Sequence, residues 1–196
     1  MKAFISVLIL IFGLYSLVKA DDINELEIAG ISIGDSLLSY VPKEKIEKIK
    51  NEKDLFIYND KTYYSLTIYE NMDFDNYDFL QFHLKAKDKN YIIHSVAGRI
   101  NFNDDVESCH KLMEEIVSDI KSNLKNYKLN DVGIRDLENQ DGSIAKVKST
   151  YLNLNNGGNV SVHCYDHPST FKITDNLTLA LDSSEFVKWL INKAFK

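Results

Sequence analysis

The chain is poor in arginine, proline and tryptophan. Its 23 basic side chains include only Arg99 and Arg135 as arginines, and it has two prolines, two cysteines and one tryptophan. Few arginines, 29 acidic residues and a formal net charge of −6 leave no basic stripe that could track a phosphate backbone, which argues against nucleic acid as a partner. Long apolar runs are also scarce. The one example, residues 3–18, follows Lys2 and ends in Val18-Lys19-Ala20, giving the charged start, apolar middle and small-residue end of a secretory leader. Residues 1–20 are therefore predicted to be a signal peptide cleaved after Ala20. Residues 21–196 should form a single domain, periplasmic or secreted, with no transmembrane span after cleavage. The next residue is Asp21 and not a lipid-bearing Cys, and retention of the leader as an anchor is the alternative.

Export bears on the two cysteines. Cys109-His110 and His163-Cys164-Tyr165-Asp166-His167 put five Cys and His residues, of metal-ligand type, into two short clusters. From Val106 to Leu124 the apolar residues recur at helical spacing, and Cys109 lies within that stripe beside Met113, Ile116 and Ile120. Residues 159–165 alternate, which sends Val160, Val162 and Cys164 to one face of a strand and Ser161, His163 and Tyr165 to the other. A tetrahedral metal site would have to draw side chains from both faces of that strand. A disulfide needs only the two inward sulfurs, and an oxidising compartment favours it. Cys109 and Cys164 are thus predicted to be bonded, with no metal and no cofactor.

The rest of the chain reads as α+β. A first strand is expected over 27–33, a helix start at Asp35 with Leu37, Leu38 and Val41 on its apolar side, and a helix from Pro42 through Ile46 and Ile49. Alternating runs at 62–70, 78–86 and 91–102 predict three strands. The helix at 106–124 is followed by runs at 143–154, 159–165 and 177–181, with Asn155-Asn156-Gly157-Gly158 as a hairpin turn. Asp182-Ser183-Ser184-Glu185 caps a terminal helix carrying Phe186, Trp189 and Leu190. The expected architecture is an antiparallel sheet with helices packed on one face, in two helix-then-three-strand halves. Residues 126–142, polar and without period, read as a mobile loop.

Gly34-Asp35-Ser36-Leu37, with His167-Pro168 far downstream, resembles the GDSL (SGNH) hydrolases. The resemblance implies a serine esterase with Ser36 as nucleophile and His167 as base. The pattern departs from that family where its Asp should stand, a position held by Cys164, and in lacking a Gly-x-Asn-Asp block. Asp166 is adjacent to His167, a poor position from which to orient its ring. That family also places a helix between successive parallel strands, whereas residues 60–102 hold three strand-like runs with none.

A wider resemblance rests on residues 30–40, the lone Cys on the amphipathic helix, Asp141-Gly142-Ser143, Val162-His163-Cys164-Tyr165 and Glu185-Phe186-x-x-Trp189-Leu190. It is to uncharacterised exported proteins of AT-rich marine bacteria, and it brings no activity. The helix-then-strands order is similar to the β-lactamase-inhibitor-protein type of fold, shared with small outer-membrane assembly lipoproteins, and fold alone does not give function. The sheet face away from the core would carry Tyr63, Tyr69, Phe79, His83, Tyr91 and Arg99, a mixture suited to a partner. Of these, Tyr69, Phe79, His83 and Arg99 are the candidate binding face. The expectation is a non-enzymatic binding or interaction module for a protein or envelope component, with the Ser36/His167 esterase as the alternative.

Overall fold

The alternating runs become one antiparallel sheet. The computed structural model describes residues 22–51, 55–69, 76–139, 141–171 and 173–194, so the leader expected at 1–20 lies outside the described residues. A small hairpin, β1 (Glu27–Ile28) with β2 (Ile31–Ser32), precedes α1 (Lys43–Lys50) and four strands: β3 (Leu55–Ile57), β4 (Tyr63–Ile68), β5 (Phe79–Lys85) and β6 (Ile93–Asn101). Next come α2 (Val106–Asn123) and four more, β7 (Tyr127–Glu138), β8 (Ile144–Leu154), β9 (Asn159–Asp166) and β10 (Asn176–Asp182), before α3 (Ser184–Asn192). The eight-stranded sheet runs β3-β4-β5-β6-β10-β9-β8-β7, with every pairing antiparallel.

Several expectations change. Residues 27–33 are a tight hairpin and not one strand, because Ala29 and Gly30 both adopt positive φ (52° and 73°) and reverse the chain. Each of the first two helices is followed by four strands and not three. The segment expected to be a loop at 126–142 holds β7, an edge strand paired along its whole length with β8. Its backbone is ordered by hydrogen bonds while most of its side chains stay exposed, so no alternation was written into the sequence.

The near face of the sheet carries the main core. Leu66, Phe82, Val96, Leu179, Val162 and Leu152 are each at most 1% exposed and sit beneath α1 and α2. Asp105 caps α2 by accepting from Ser108 N (3.1 Å), and the buried stripe Cys109, Met113, Ile116 and Ile120 lies against β9 and β10. Helix α3 does not join them, which corrects the expectation of helices on one face. Capped by Ser183, whose Oγ accepts from Phe186 N (3.2 Å), it folds onto the far face and packs Phe186 and Trp189 on Tyr58 and Tyr63. The alternation of β4 requires such a cover: with Tyr64, Leu66 and Ile68 in the main core, Tyr63 points the other way and would otherwise be bare. Among the described residues, no helix is long and apolar enough to cross a membrane.

Candidate functional site

Cys109 and Cys164 form the expected disulfide, with Cα atoms 6.0 Å apart and both residues fully buried. A link across a sequence separation of 55 contributes about 4 kcal/mol in the chain-entropy account. His163 projects to the opposite side of β9, where its Nδ1 meets Ser149 Oγ at 2.9 Å. Burial, with the charge of Arg135 adding to it, lowers its pKa to about 4. Among the described residues no group of three or more His, Cys, Asp and Glu is placed to hold a metal ion.

Ser36 is a helix cap. Its Oγ accepts from Leu38 N (3.3 Å), opening a short 3-10 helix at Leu37–Ser39, and donates to Asn90 O (2.6 Å). Asp35 is engaged as well, accepting from Ser32 N (3.1 Å) and from the Tyr40 hydroxyl (2.5 Å). Ser36 bridges to Ile92 just before β6 begins, whereas His167 N donates to Asp175, whose carbonyl accepts from Phe102 N just after β6 ends. At about 3.3 Å per strand residue, the two lie roughly 30 Å apart along β6. The fold does not bring the proposed nucleophile and base together, and a proton cannot pass directly between them.

The candidate binding face splits in two. Toward α3, His83 sits beneath the Phe186 ring (centroids 4.7 Å apart), with Nε2 at 3.1 Å from Tyr58 OH and Nδ1 at 3.2 Å from Ser95 Oγ. Ser95 in turn hydrogen-bonds Asp182, whose carboxyl burial pushes up to about 6. Burial lowers His83 to about 4, so the ring is neutral at pH 7. Helix α3 is pinned over this chain by Trp189 Nε1 donating to Asp60 (2.7 Å) and by a Lys85–Glu185 ion pair (2.7 Å). Tyr91, expected on this face, belongs to the main core, and its hydroxyl donates to Glu47. The register shift between His83 and Leu84 explains the difference, because one extra residue in β6 moves everything before it to the other face.

Tyr69, Phe79 and Arg99 do come together, at the uncovered end. Phe79 is paired with Arg99 across β5 and β6, and the guanidinium lies 4.8 Å from the Phe79 ring centroid, with Tyr69 5.1 Å from Phe79 on the other side. This end of β5 is fixed by Asp78, which donates its N–H to Arg99 O (2.8 Å) and accepts from Asn101 N (2.7 Å). Beside it the Tyr77 ring lies flat over Gly98, where a Cβ would come within 2.4 Å of the ring, so only glycine fits under that ring. Arg99 is half-buried, its Nε has no hydrogen-bond partner, and no carboxylate pairs with it among the described residues.

Arg99 also lines an open cleft of about 770 Å³ together with Tyr165, His167 and Phe171, and with Glu138 and Asp141 from the end of the β7–β8 hairpin. Tyr165 and His167 stack with nearly parallel rings (5.8 Å, 5°), and Phe171 packs on His167 (5.2 Å). His167 Nδ1 is buried without a partner among the described residues. Burial, then the charge of Arg99, lowers the His167 pKa. His167 was expected only as a metal-ligand type of residue or as an esterase base, and neither Tyr165 nor Phe171 was expected as a site residue. The alternation that sends His163 and Tyr165 outward, continued by two residues, reaches His167 and was the available signal. Phe171 is brought round by the turn after Pro168, where Phe171 N donates to Pro168 O (2.8 Å), and no periodicity announces it. No protein-family model matches this chain, and no curated protein matches its sequence.

Proposed function

We propose that the chain is an exported, periplasmic or secreted, non-enzymatic module that binds a protein or envelope component at the uncovered end of the far sheet face. The observation that carries this reading is Arg99: a half-buried guanidinium held on Phe79, without a hydrogen bond at Nε or a carboxylate partner among the described residues. Structural cations inside proteins are paired, and an unpaired one beside exposed aromatic surface is what a recognition site presents before its partner arrives. The leader-like residues 1–20 and the buried disulfide support export. In the same reading, residues 21–196 are one domain of two halves meeting at β6 and β10, supported by the helix-then-strands order on either side of that seam. No metal or cofactor is invoked.

The test is capture from an exported-protein fraction, with immobilised wild type compared against the double variant Phe79→Ala, Arg99→Gln after circular dichroism shows both folded. The reading expects a partner enriched on wild type and depleted at least tenfold on the variant, a difference of about 1.4 kcal/mol. Equal enrichment on both would sink it. The esterase alternative is separated by a fluorophosphonate probe: no labelling of Ser36 is expected, and labelling that Ser36→Ala abolishes would reverse the choice.

A further inference from the structure

We infer that the cleft between Arg99 and the Tyr165–His167–Phe171 stack is a binding site for a small carboxylate with an aromatic body, or for the same group presented on a larger partner. The inference rests on the proposed use of this face and names the chemistry at its centre. Its floor is cationic and unsatisfied: Arg99 Nε and His167 Nδ1 are both buried without hydrogen-bond partners among the described residues. Native proteins leave few such atoms, and two in one cleft, on the side chains that line it, indicate groups kept for a ligand. The wall is aromatic: His167 meets both Tyr165 and Phe171, and its backbone N–H is tied to Asp175 (2.8 Å). A planar ring can lie against Phe171 or the edge of that stack while its acid reaches inward.

The charge count selects among anions. A single guanidinium offers a planar fork that fits a carboxylate in two parallel hydrogen bonds. A phosphate dianion would meet one positive side chain on the floor, two carboxylates, Glu138 and Asp141, at the same cleft, and a chain of net charge −6. Asp141 is firmly ionised, its pKa lowered by hydrogen bonds from the Ser143 hydroxyl (2.6 Å) and backbone N–H (3.0 Å). A monoanion with an apolar body therefore fits the cleft, and a polyanion does not. The volume, about 770 Å³, is in the range of small-molecule pockets and leaves room for more than a benzene ring.

The experiment is ligand-observed NMR titration of the full chain with 3-phenylpropanoate, its neutral amide 3-phenylpropanamide, and inorganic phosphate. Folding of every variant is checked by circular dichroism. For a probe of this size the acid should bind with Kd on the order of 1 mM. The amide should bind at least about tenfold more weakly, and phosphate should show no Arg99-dependent binding up to about 10 mM. Arg99→Gln and Phe171→Ala should each weaken the acid at least about tenfold, and Lys43→Gln, on α1, should leave it unchanged. Phe171→Ala keeps the test decisive if Arg99→Gln does not fold. Equal binding of acid and amide, preference for phosphate, acid binding that survives both variants, or no binding of the acid up to about 10 mM would each overturn the inference. Failure of all three probes alongside Arg99-dependent partner capture would reject the carboxylate cleft and leave the wider binding reading standing; the reverse pattern would do the opposite.

Discussion

The far sheet face has two ends built from the same kinds of residue. At one end His83 lies under an aromatic roof and every link is closed: Tyr58 to His83, His83 to Ser95, Ser95 to Asp182. At the other, Arg99 and His167 are as closely framed by rings, yet each has a buried nitrogen without a partner. Burial of polar groups is common to both ends, so burial does not mark the site. Their surroundings separate them: Tyr63 OH, which also has no partner among the described residues, is sealed under α3, whereas Arg99 and His167 line a cleft that a ligand can enter. The position of α3 makes the difference, since it covers β4 and β5 near Tyr63 and leaves the Phe79 and Arg99 end bare.

Removing the roof should have the largest effect. Trp189→Ala deletes the ring that packs on Tyr58 (4.7 Å) and Tyr63 (4.6 Å) and donates to Asp60, and it should cost about 3 to 5 kcal/mol in urea unfolding. In the folded fraction the His83 ring should titrate closer to its ordinary range when followed by NMR. A His83 resonance that does not move would show that α3 is not what desolvates it.

Next comes the pH dependence, in which two buried histidines and a buried carboxylate act in opposite senses. His83 and His163 have folded pKa values near 4, below their ordinary 6.5, so each withdraws stability as pH falls from 6.5 toward 4. Asp182 has a folded pKa near 6, above its ordinary 3.8, so its contribution is full below 3.8 and is lost as pH rises through 6. Asp182→Asn keeps the shape and removes the buried charge. It should stabilise the chain at pH 8 by up to about 3 kcal/mol and steepen the loss on acidification from pH 6 to 4, where the two histidines are no longer opposed. Urea midpoints across that pH range test it, and a variant less stable than wild type at pH 8 would refute it. His83→Phe, which removes the ring nitrogens that meet Tyr58 and Ser95, should cost about 1 to 3 kcal/mol at pH 7 by the same measurement.

Much of this arrangement was legible. Strands β5, β8, β9 and β10 sit between a packed and a more open face, and that inequality writes alternation into the chain, as Leu80, Phe82 and Leu84 show. The disulfide followed from the same pattern, because Cys109 and Cys164 each occupied an inward position. Two features left no such record. Strand β7 is held mainly by its backbone pairing with β8, and an amphipathic α3 reveals that it covers something without saying which face. The candidate site was half legible for the same reason. Tyr69, Phe79 and Arg99 share a strand face, which spacing shows, whereas the roof over His83 and the approach of Phe171 depend on where distant elements return.

The smallest expected effect bears most directly on the comparison. Arg99→Met keeps an unbranched stem over Phe79 and removes the charge. The loss is a cation–π contact worth about 0.5 to 1 kcal/mol at a partly exposed position. Against it stands relief of a half-buried guanidinium whose Nε is unpaired, worth about 1 to 3 kcal/mol. The second is at least as large as the first, so stability at pH 7 should be unchanged or rise by up to about 2 kcal/mol. That outcome, beside the loss in His83→Phe, would give neighbouring polar residues of one sheet face opposite signs. A residue whose removal stabilises the isolated chain is held there for something outside it. If Arg99→Met instead costs as much as His83→Phe, then Arg99 has structural partners after all, and the uncovered end is packing and not a site.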